Sequence, residues 1–536
     1  MNKRVSAVAL GLALLGGTIA SQASADELGK GREVKHVLLI SVDGLHALDV
    51  ANYVQNNPSS ALAELASHGV TYSNANTPAN SDSFPGLLAL VTGGSPLSLG
   101  LFYDVSYNRS IFDPSNTSCQ GQPGNTQVFD ESIDQYTTAN PPVSLNKIDP
   151  AALPRYINED GKCAPKFPHN ALRTNTIFEV VKAEGGITAW ADKHPAYDLV
   201  NGPSGKGVDD LYTPELTNFG GFDNTVSILC TVNNDFLKVH AVLNEINGLR
   251  DDGKTPLGTP TVLGMNFQAV SVGQKLSIDN AAGGCPNDPF TGKPGGYTDG
   301  SGTPTAVLKY GLDQTDQALR MMINALKARH IYESTLFIVS AKHGQSPINP
   351  VKTNKPGHFA DLVAALPDAA TNPAALAIAS ANNCSTGPCG FVQDDDIALI
   401  WLQDQTQTPA VAAYLNANAK ALFIDEVMAG NELDLKFNDP SKDPATPDII
   451  VRPTYGTIYT GSTAKNAEHG GFNYSDTNVG LVVSNPDLRA RTVKTPVASS
   501  QVAPTILKAL GIDPEQLNSV RKEGTAVLPL LFQDHE

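Results

Sequence analysis

The chain has 536 residues, with 37 lysine and arginine side chains against 54 aspartate and glutamate side chains, and a formal net charge of −17 at pH 7. Because a surface of this sign repels nucleic-acid phosphates and anionic lipids, we expect no binding to nucleic-acid polymers or to such membranes. A small anionic substrate can still bind where its site supplies its own cations. The length allows several average domains, or one large α/β domain with insertions.

The first residues have the features of a secretory signal peptide. Two basic residues, Lys3 and Arg4, precede an apolar run and a small-residue site at 23–25, so we expect cleavage after Ala25. The apolar run is short and contains glycines, which makes a membrane anchor the weaker alternative. The mature protein, residues 26–536, is therefore predicted to be exported, to the periplasm or the medium, with no membrane attachment.

Strands and amphipathic helices alternate along the mature chain. The strand-like run HVLLISVDGLH opens the series and stops on Asp43 and Gly44. The further predicted elements are a helix at 59–70, a helix at 175–186 and a strand at 187–191, a helix at 307–331 and a strand at 334–344, and a strand at 479–486 with a helix at 499–512. Because this alternation is typical of parallel sheets with right-handed crossovers, the predicted fold class is α/β, with a central, mostly parallel sheet flanked by helices.

Stretches rich in Gly, Pro, Asn, Asp and Ser separate these elements and are predicted to be insertions. They lie at about 105–169, 201–260, 281–302 and 349–447. The last is the largest and has a strand-like run and a helical run of its own. We therefore predict a small inserted α/β subdomain at about 349–447 within one catalytic domain that spans residues 26–536.

Six cysteines in an exported chain allow up to three disulfides, and the sequence alone leaves all pairings open. We favour pairing between neighbours along the chain. The expected pairs are Cys119 with Cys163, Cys230 with Cys285, and Cys384 with Cys389. No C-x-x-C pattern occurs, which argues against a redox motif or a zinc finger.

Polar side chains follow two of the predicted strands at the point where each strand ends. Asp43 follows the first strand, and Lys342 and His343 follow the strand at 334–344. Ligands of open parallel sheets gather outside the carboxyl ends of the strands, so we expect these side chains to share one site. For an isolated acid or histidine in such a place, a cap or a hydrogen-bonded loop residue is the alternative.

Ser83 stands between a polar turn and the apolar helical run LLALVTG. A serine in this position is most often a helix N-cap. The same position also suits a nucleophile, because helix N-terminal N–H groups favour anions such as a phosphoryl group. Asp82, beside it, is either a turn former or a metal ligand, and the residues alone leave both questions open.

Five motifs in order resemble one known family. SVDG, SFPGLLALVTG, VSAKHG, AEHGGF at 467–472 and QVAPTILKALGI are similar to stretches of the alkaline phosphatase superfamily, in its type I phosphodiesterase and nucleotide pyrophosphatase branch. The resemblance covers the core from about residue 34 to residue 512. It implies a two-zinc site at which a threonine or serine attacks phosphorus and forms a covalent phospho-enzyme that water hydrolyses.

Carried over by position, the resemblance makes Ser83 the nucleophile, Asp43 and His343 metal ligands, and His469 a ligand of the other metal. This chain departs from the pattern where Lys342 replaces an aspartate, because an ammonium has no lone pair with which to bind a metal. The family's middle metal-binding segment corresponds to 261–277, which contains no carboxylate and no histidine. Its only candidate ligands there are the weak amide oxygens of Asn266 and Gln268.

Three of six expected metal-binding side chains can thus be placed, which predicts one divalent ion, most simply zinc, instead of two. The segment at 191–212 follows a predicted strand and holds Asp192, Lys193, His194 and Asp198. This segment either lines the site or forms a solvated loop, and the loop is our expectation.

We predict an exported, metal-dependent phosphoesterase that acts on a small phosphate-containing substrate, with Lys342 in place of the missing cation. A non-catalytic anion-binding protein on the same fold is the alternative. A sulfatase-like hydrolase is a further alternative, but Leu87 stands where the nucleophile signature of sulfatases has arginine.

Overall fold

The computed structural model describes residues 28, 33–128, 148–217, 222–281, 284–381 and 390–532. The predicted signal peptide and the pair Cys384 and Cys389 lie outside these ranges. The strands of the described chain are β1 (His36–Val42), β2 (Gly69–Tyr72), β3 (Ala75–Asn76), β4 (Val105–Asn108), β5 (Asn125–Val128), β6 (Arg155–Ile157), β7 (Cys163–Pro165), β8 (Ala189–Ala191), β9 (Asp210–Tyr212), β10 (Val262–Phe267), β11 (Thr335–Ser340), β12 (Phe391–Asp394), β13 (Ala398–Trp401), β14 (Ile424–Ala429), β15 (Ile449–Pro453), β16 (Asn478–Val479), β17 (Val482–Ser484), β18 (Arg491–Val493) and β19 (Val497–Ala498).

The α-helices lie between these strands. They are α1 (Ala47–Asn56), α2 (Ala61–Ser67), α3 (Ser83–Thr92), α4 (Pro96–Leu99), α5 (Ile177–Ala183), α6 (Ile228–Ile246), α7 (Ala269–Lys275), α8 (Ala306–Ala328), α9 (Phe359–Ala364), α10 (Pro373–Ala381), α11 (Thr408–Ala417), α12 (Asn431–Asp434), α13 (Tyr474–Thr477), α14 (Val502–Ala509) and α15 (Asn518–Glu523).

An eight-stranded sheet forms the centre of the molecule, in the order β18-β2-β17-β11-β1-β10-β8-β9. β1 runs parallel to both of its neighbours, β10 and β11, and β8 continues the parallel set. β17 is antiparallel to both β11 and β2. The prediction of an α/β fold with a central, mostly parallel sheet is therefore confirmed. The near-continuous apolar runs of β1, β10 and β11 fit strands that are buried on both faces.

The predicted helix at 59–70 is shorter than expected, because a strand begins inside its range. α2 starts after Ser60, whose hydroxyl accepts a hydrogen bond from the Ala63 N–H, and ends at Ser67. β2 then starts at Gly69, where an added Cβ would lie 2.5 Å from the carbonyl oxygen of Val483. This glycine lets the chain turn directly from the helix into the sheet.

A second, antiparallel sheet has the order β12-β13-β15-β14. It packs with α9, α10 and α11 around a separate hydrophobic cluster. This sheet falls within the segment for which an inserted subdomain is predicted, except that β15 lies just past the expected end at 447. The division into domains stays a prediction. Another cluster joins Phe102 and Tyr103, beyond α3, to Leu399 and Trp401 of this sheet.

Two of the three expected disulfides lie in the described part of the chain. Cys119 pairs with Cys163 and Cys230 pairs with Cys285, as predicted. Within the described residues, no helix has the length and apolar content needed to cross a membrane.

Candidate active site

The carboxyl ends of β1 and β11 bring two of the predicted segments together. The Gly44 N–H donates to the carbonyl oxygen of His343 across 3.1 Å, and the Asp43 N–H donates to that of Phe267, at the end of β10, across 2.9 Å. Asp43, Lys342 and His343 are all fully buried. The expectation that these strand ends form one site follows from the parallel register of the three strands.

Ser83 is the first residue of α3, and its hydroxyl does not cap the helix. The cap is Asp82, whose carboxylate accepts a hydrogen bond from the Phe84 N–H at 3.1 Å. The helix approaches β11 closely at Gly86, where an added Cβ would lie 2.1 Å from the carbonyl oxygen of Lys342. These two features leave the Ser83 hydroxyl free to face the strand ends.

The Ser83 hydroxyl faces an imidazole whose tautomer is set by the backbone. Ser83 Oγ lies 3.3 Å from His343 Nε2. His343 Nδ1 lies 2.9 Å from the Gly344 carbonyl oxygen, which can only accept, so Nδ1 carries the proton and Nε2 presents its lone pair. Burial lowers the pKa of His343 to about 3, so the ring is neutral at neutral pH. The pair therefore has the arrangement of a nucleophile and its base.

Two lysines share the carboxylate of Asp43. Lys342 Nζ lies 3.2 Å from Oδ1, and Lys193 Nζ lies 3.4 Å from Oδ2 and 3.5 Å from Ser83 Oγ. Burial alone would raise the pKa of Asp43, but the charges of Lys342 and Lys193 outweigh it and hold that pKa well below its usual range. Asp43 is thus a carboxylate with an ammonium group on each oxygen.

The remaining polar neighbours of Asp43 and Lys342 are an amide, a phenol and a second carboxylate. With its amide oriented to satisfy both ends, Asn266 donates to Asp43 Oδ1 at 2.8 Å and accepts from Lys342 Nζ at 3.3 Å. Lys342 also donates to the hydroxyl of Tyr197 at 2.8 Å and lies 4.0 Å from Asp192. The carboxylates of Asp43 and Asp192 therefore face two ammonium groups, and Asp82 and Asp104 are close enough to act electrostatically on Lys193.

The two ammonium groups on Asp43 bear on the metal that the resemblance implies. A divalent ion on Asp43 would bring two further positive charges beside Lys193 and Lys342 in a region of low dielectric. Both oxygens of the carboxylate already have cationic partners. The residues around Asp43 therefore do not fit a divalent ion, and the assignment of Asp43 and His343 as metal ligands stays a prediction that these surroundings do not favour.

His469 lies on the other side of His343, with the two ring centroids 3.9 Å apart. Its Nδ1 atom is buried and has no hydrogen-bond partner among the described residues. Asp395, from the turn between β12 and β13, and Glu468 approach the same place, and the three side chains offer ligand atoms within 4.8 Å of one another. Two carboxylates and an imidazole form a donor set that suits zinc.

The charge around this cluster is partly compensated. Glu468 forms ion pairs with Lys275, at 2.8 Å, and with Lys465. Asp395 accepts a hydrogen bond from the Tyr103 hydroxyl at 2.9 Å, and burial, together with the charge of Glu468, raises the pKa of Asp395 to about 8. A cation shared by Asp395 and His469 would stabilise the ionised form. Both oxygens of Glu468 have an ammonium partner, as those of Asp43 do, so the groups of this cluster that favour a divalent ion are the Asp395 carboxyl and the His469 imidazole.

Comparison with known proteins gives a match to one protein family. Residues 37–215 match the model of the type I phosphodiesterase / nucleotide pyrophosphatase family. The predicted resemblance is thereby confirmed, and the match supports the prediction of a hydrolase of phosphate esters. The matched segment of this chain contains Asp43, Ser83 and Lys193, whereas Lys342, His343 and His469 lie beyond it. A comparison with curated proteins gives no match.

Two solved structures of another protein share the fold of this chain. Murine ectonucleotide pyrophosphatase / phosphodiesterase 5 is similar with a TM-score of 0.53 and 13% identity, over 89% of this chain and 96% of that one. An inactive variant of the same murine protein, in complex with AMP, gives a TM-score of 0.51 and 12% identity, over 90% of this chain and 96% of that one. At these identities, the likeness establishes the fold.

Sequence reasoning did not select three of the residues that line this site. Lys193 was expected in a solvated loop, although its position directly after a strand was a signal for the site. Asp395 lies in an insertion without a recognisable motif. Glu468 adjoins the predicted His469, but a single acid beside a histidine is no motif.

Proposed function

We propose that the protein is an exported hydrolase of small phosphate esters, phosphodiesters or monoesters, in which Ser83 attacks phosphorus. The observation that carries this proposal is the 3.3 Å approach of Ser83 Oγ to the unprotonated Nε2 of His343, with the Lys193 ammonium 3.5 Å from the same oxygen. A base beside the hydroxyl and a cation beside the developing charge are the two requirements of nucleophilic phosphoryl transfer.

In the first half-reaction, the Ser83 proton passes to His343 Nε2 while the Oγ–P bond forms and the bond from phosphorus to the leaving oxygen breaks. The leaving oxygen departs on the side of phosphorus opposite Oγ and takes its proton from solvent, while His343 keeps the Ser83 proton. In the second half-reaction, water attacks phosphorus from that opposite side and releases a proton to solvent. The P–Oγ bond breaks, and Ser83 recovers its proton from His343. The Lys193 ammonium, which lies beside Ser83 Oγ, stabilises the phosphoryl oxygens throughout.

One divalent ion, most simply zinc, would be held by Asp395, Glu468 and His469. Such an ion supplies Lewis-acid stabilisation of negative charge at a phosphoryl or leaving oxygen. The donor set and the unpartnered Nδ1 of His469 support this choice. A count of one ion, in place of two, agrees with the ammonium groups that accompany Asp43.

A nucleotide is the first substrate class to test, because a protein of the same fold has been solved with AMP. A site with its own ammonium groups also explains how an anion binds to a chain of net charge −17. The predicted signal peptide and the two disulfides support export, to the periplasm or the medium.

The test compares Ser83→Ala with the wild-type protein on nucleotide monoesters and diesters. We expect turnover to be lost and the phosphoryl group on the protein to disappear from intact-mass spectra of quenched reactions. Ser98→Ala is the matched control, because Ser98 is another buried serine whose hydroxyl bonds to Ser519. Turnover that is equal in Ser83→Ala and wild type would contradict the mechanism, and a wild-type protein that binds phosphate but cleaves no ester would favour the anion-binding alternative.

A further inference from the structure

We propose that Lys193 is a catalytic residue, whose ammonium contacts both the Ser83 oxygen and the phosphoryl group, and that Lys342 is a positioning residue that holds Asp43. This inference rests on the proposed function and deepens it. It changes the role expected for Lys342, which the sequence places at the position of a metal-binding aspartate and which we predicted to replace a missing cation directly.

The donors of Lys342 are used within the protein. An ammonium has three N–H donors. Those of Lys342 meet Asp43 Oδ1 at 3.2 Å, the Tyr197 hydroxyl at 2.8 Å and the Asn266 amide oxygen at 3.3 Å. The side chain has no exposed surface, and its ammonium lies 4.4 Å from the centroid of the Tyr197 ring. Lys342 therefore has neither a free donor nor an open path to a substrate.

Lys193 differs from Lys342 in its hydrogen-bond donors and in its exposure. Its ammonium contacts Asp43 Oδ2 at 3.4 Å and Ser83 Oγ at 3.5 Å, which engages two of its three donors. Its side chain is 12% exposed, so a substrate that reaches Ser83 also reaches Lys193. Because this ammonium already touches the nucleophilic oxygen, a phosphorus atom bonded to that oxygen carries its other oxygens into the range of the third donor.

The geometry also indicates which group stabilises negative charge in place of a metal ion on Asp43. A divalent ion in such a site neutralises the attacking oxygen and the phosphoryl oxygens together. Lys193 offers one fixed charge to the same two partners, and Asp43 orients it through an ion pair. Lys342 supports Asp43 from the buried side, so that the carboxylate keeps its place when Lys193 shifts towards a substrate.

The experiment compares Lys193→Met, Lys193→Arg and the control Lys206→Met, in which an exposed lysine of a nearby turn is changed. Binding of inorganic phosphate is measured by calorimetry, and hydrolysis of a nucleotide ester is measured as kcat and KM. We expect Lys193→Met to weaken phosphate binding on the order of 10- to 100-fold, the range of one charge-assisted hydrogen bond, and to lower kcat as well. Lys193→Arg should retain part of the phosphate affinity and part of kcat, and Lys206→Met should have the phosphate affinity and kcat of the wild type.

A second variant separates the two lysines. We expect Lys342→Met to lower kcat while phosphate affinity stays close to that of the wild type, since this ammonium does not reach the anion. Phosphate affinity and kcat that are equal in Lys193→Met and wild type would overturn the role of Lys193 and leave the proposed function standing. A wild-type protein that cleaves no phosphate ester would instead overturn the proposed function, and the role of Lys193 with it.

Discussion

Replacement of Lys342 by methionine tests whether the ion pair with Asp43 stabilises the folded chain. Both side chains are fully buried, so the substitution removes the buried ammonium partner of Asp43 and leaves the carboxylate with Asn266 and with Lys193, whose side chain is 12% exposed. Breaking a buried pair from one side costs about 3–5 kcal/mol of the free energy of unfolding. Methionine keeps the length and much of the volume of lysine, which limits any cavity contribution.

Lys193→Met provides the comparison, because it removes an ammonium from the other oxygen of the same carboxylate. In that variant, Asp43 retains Lys342 and Asn266, and the lost charge lay in a partly solvated position. We expect this change to cost about 1.5–3 kcal/mol, the scale of one hydrogen bond to a charged group. The two variants therefore differ by about 2 kcal/mol, although each lacks one ammonium next to Asp43.

The assay is urea unfolding followed by far-UV circular dichroism, with the disulfides intact. The expected order of midpoints is wild type, then Lys193→Met, then Lys342→Met, with Lys206→Met at the wild-type value. A midpoint of Lys342→Met that equals that of Lys193→Met would refute the reasoning, because it would mean that water reaches both ammonium groups alike.

Two further predictions concern the metal and the helix of the nucleophile. We expect the unchelated protein to hold about one divalent ion per chain by elemental analysis. His469→Ala should abolish this metal content, and Asp43→Asn should leave it unchanged. Loss of the ion in Asp43→Asn would instead place the metal site at the strand ends. Gly86→Ala should destabilise the protein by about 1–3 kcal/mol and lower turnover, because the added Cβ would lie 2.1 Å from the Lys342 carbonyl oxygen. Gly461→Ala is the control: the nearest atom to its added Cβ lies at 3.4 Å, so neither stability nor turnover should change in the same assays.

The strand ends were predictable from the sequence because each rests on a local pattern. The apolar runs that precede Asp43 and His343 are long and uninterrupted, and parallel neighbours carry such residues to one edge. The order of the motifs supplied Ser83 and His469. These predictions needed no knowledge of how the insertions fold.

The rest of the site depends on paths that local patterns do not determine. The turn after β8 decides whether Lys193 faces solvent or the strand ends, and its composition suits both. Asp395 reaches His469 only because the second sheet packs against Phe102 and Tyr103. The role of Asp82 as helix cap depends on where α3 begins, and a shift of one residue would have given that role to Ser83.

The acid at the end of β1 illustrates how a charge can be kept where a metal is expected. A lone carboxylate at the end of a buried strand would be unstable, because burial disfavours its charged form. A divalent ion can compensate this buried negative charge, and so can two ammonium groups. Of the two ammonium groups beside Asp43, that of Lys193 is the more exposed, and it also contacts Ser83. Under the role proposed for Lys193, an arriving anion meets the one ammonium of the pair that also contacts the nucleophilic oxygen.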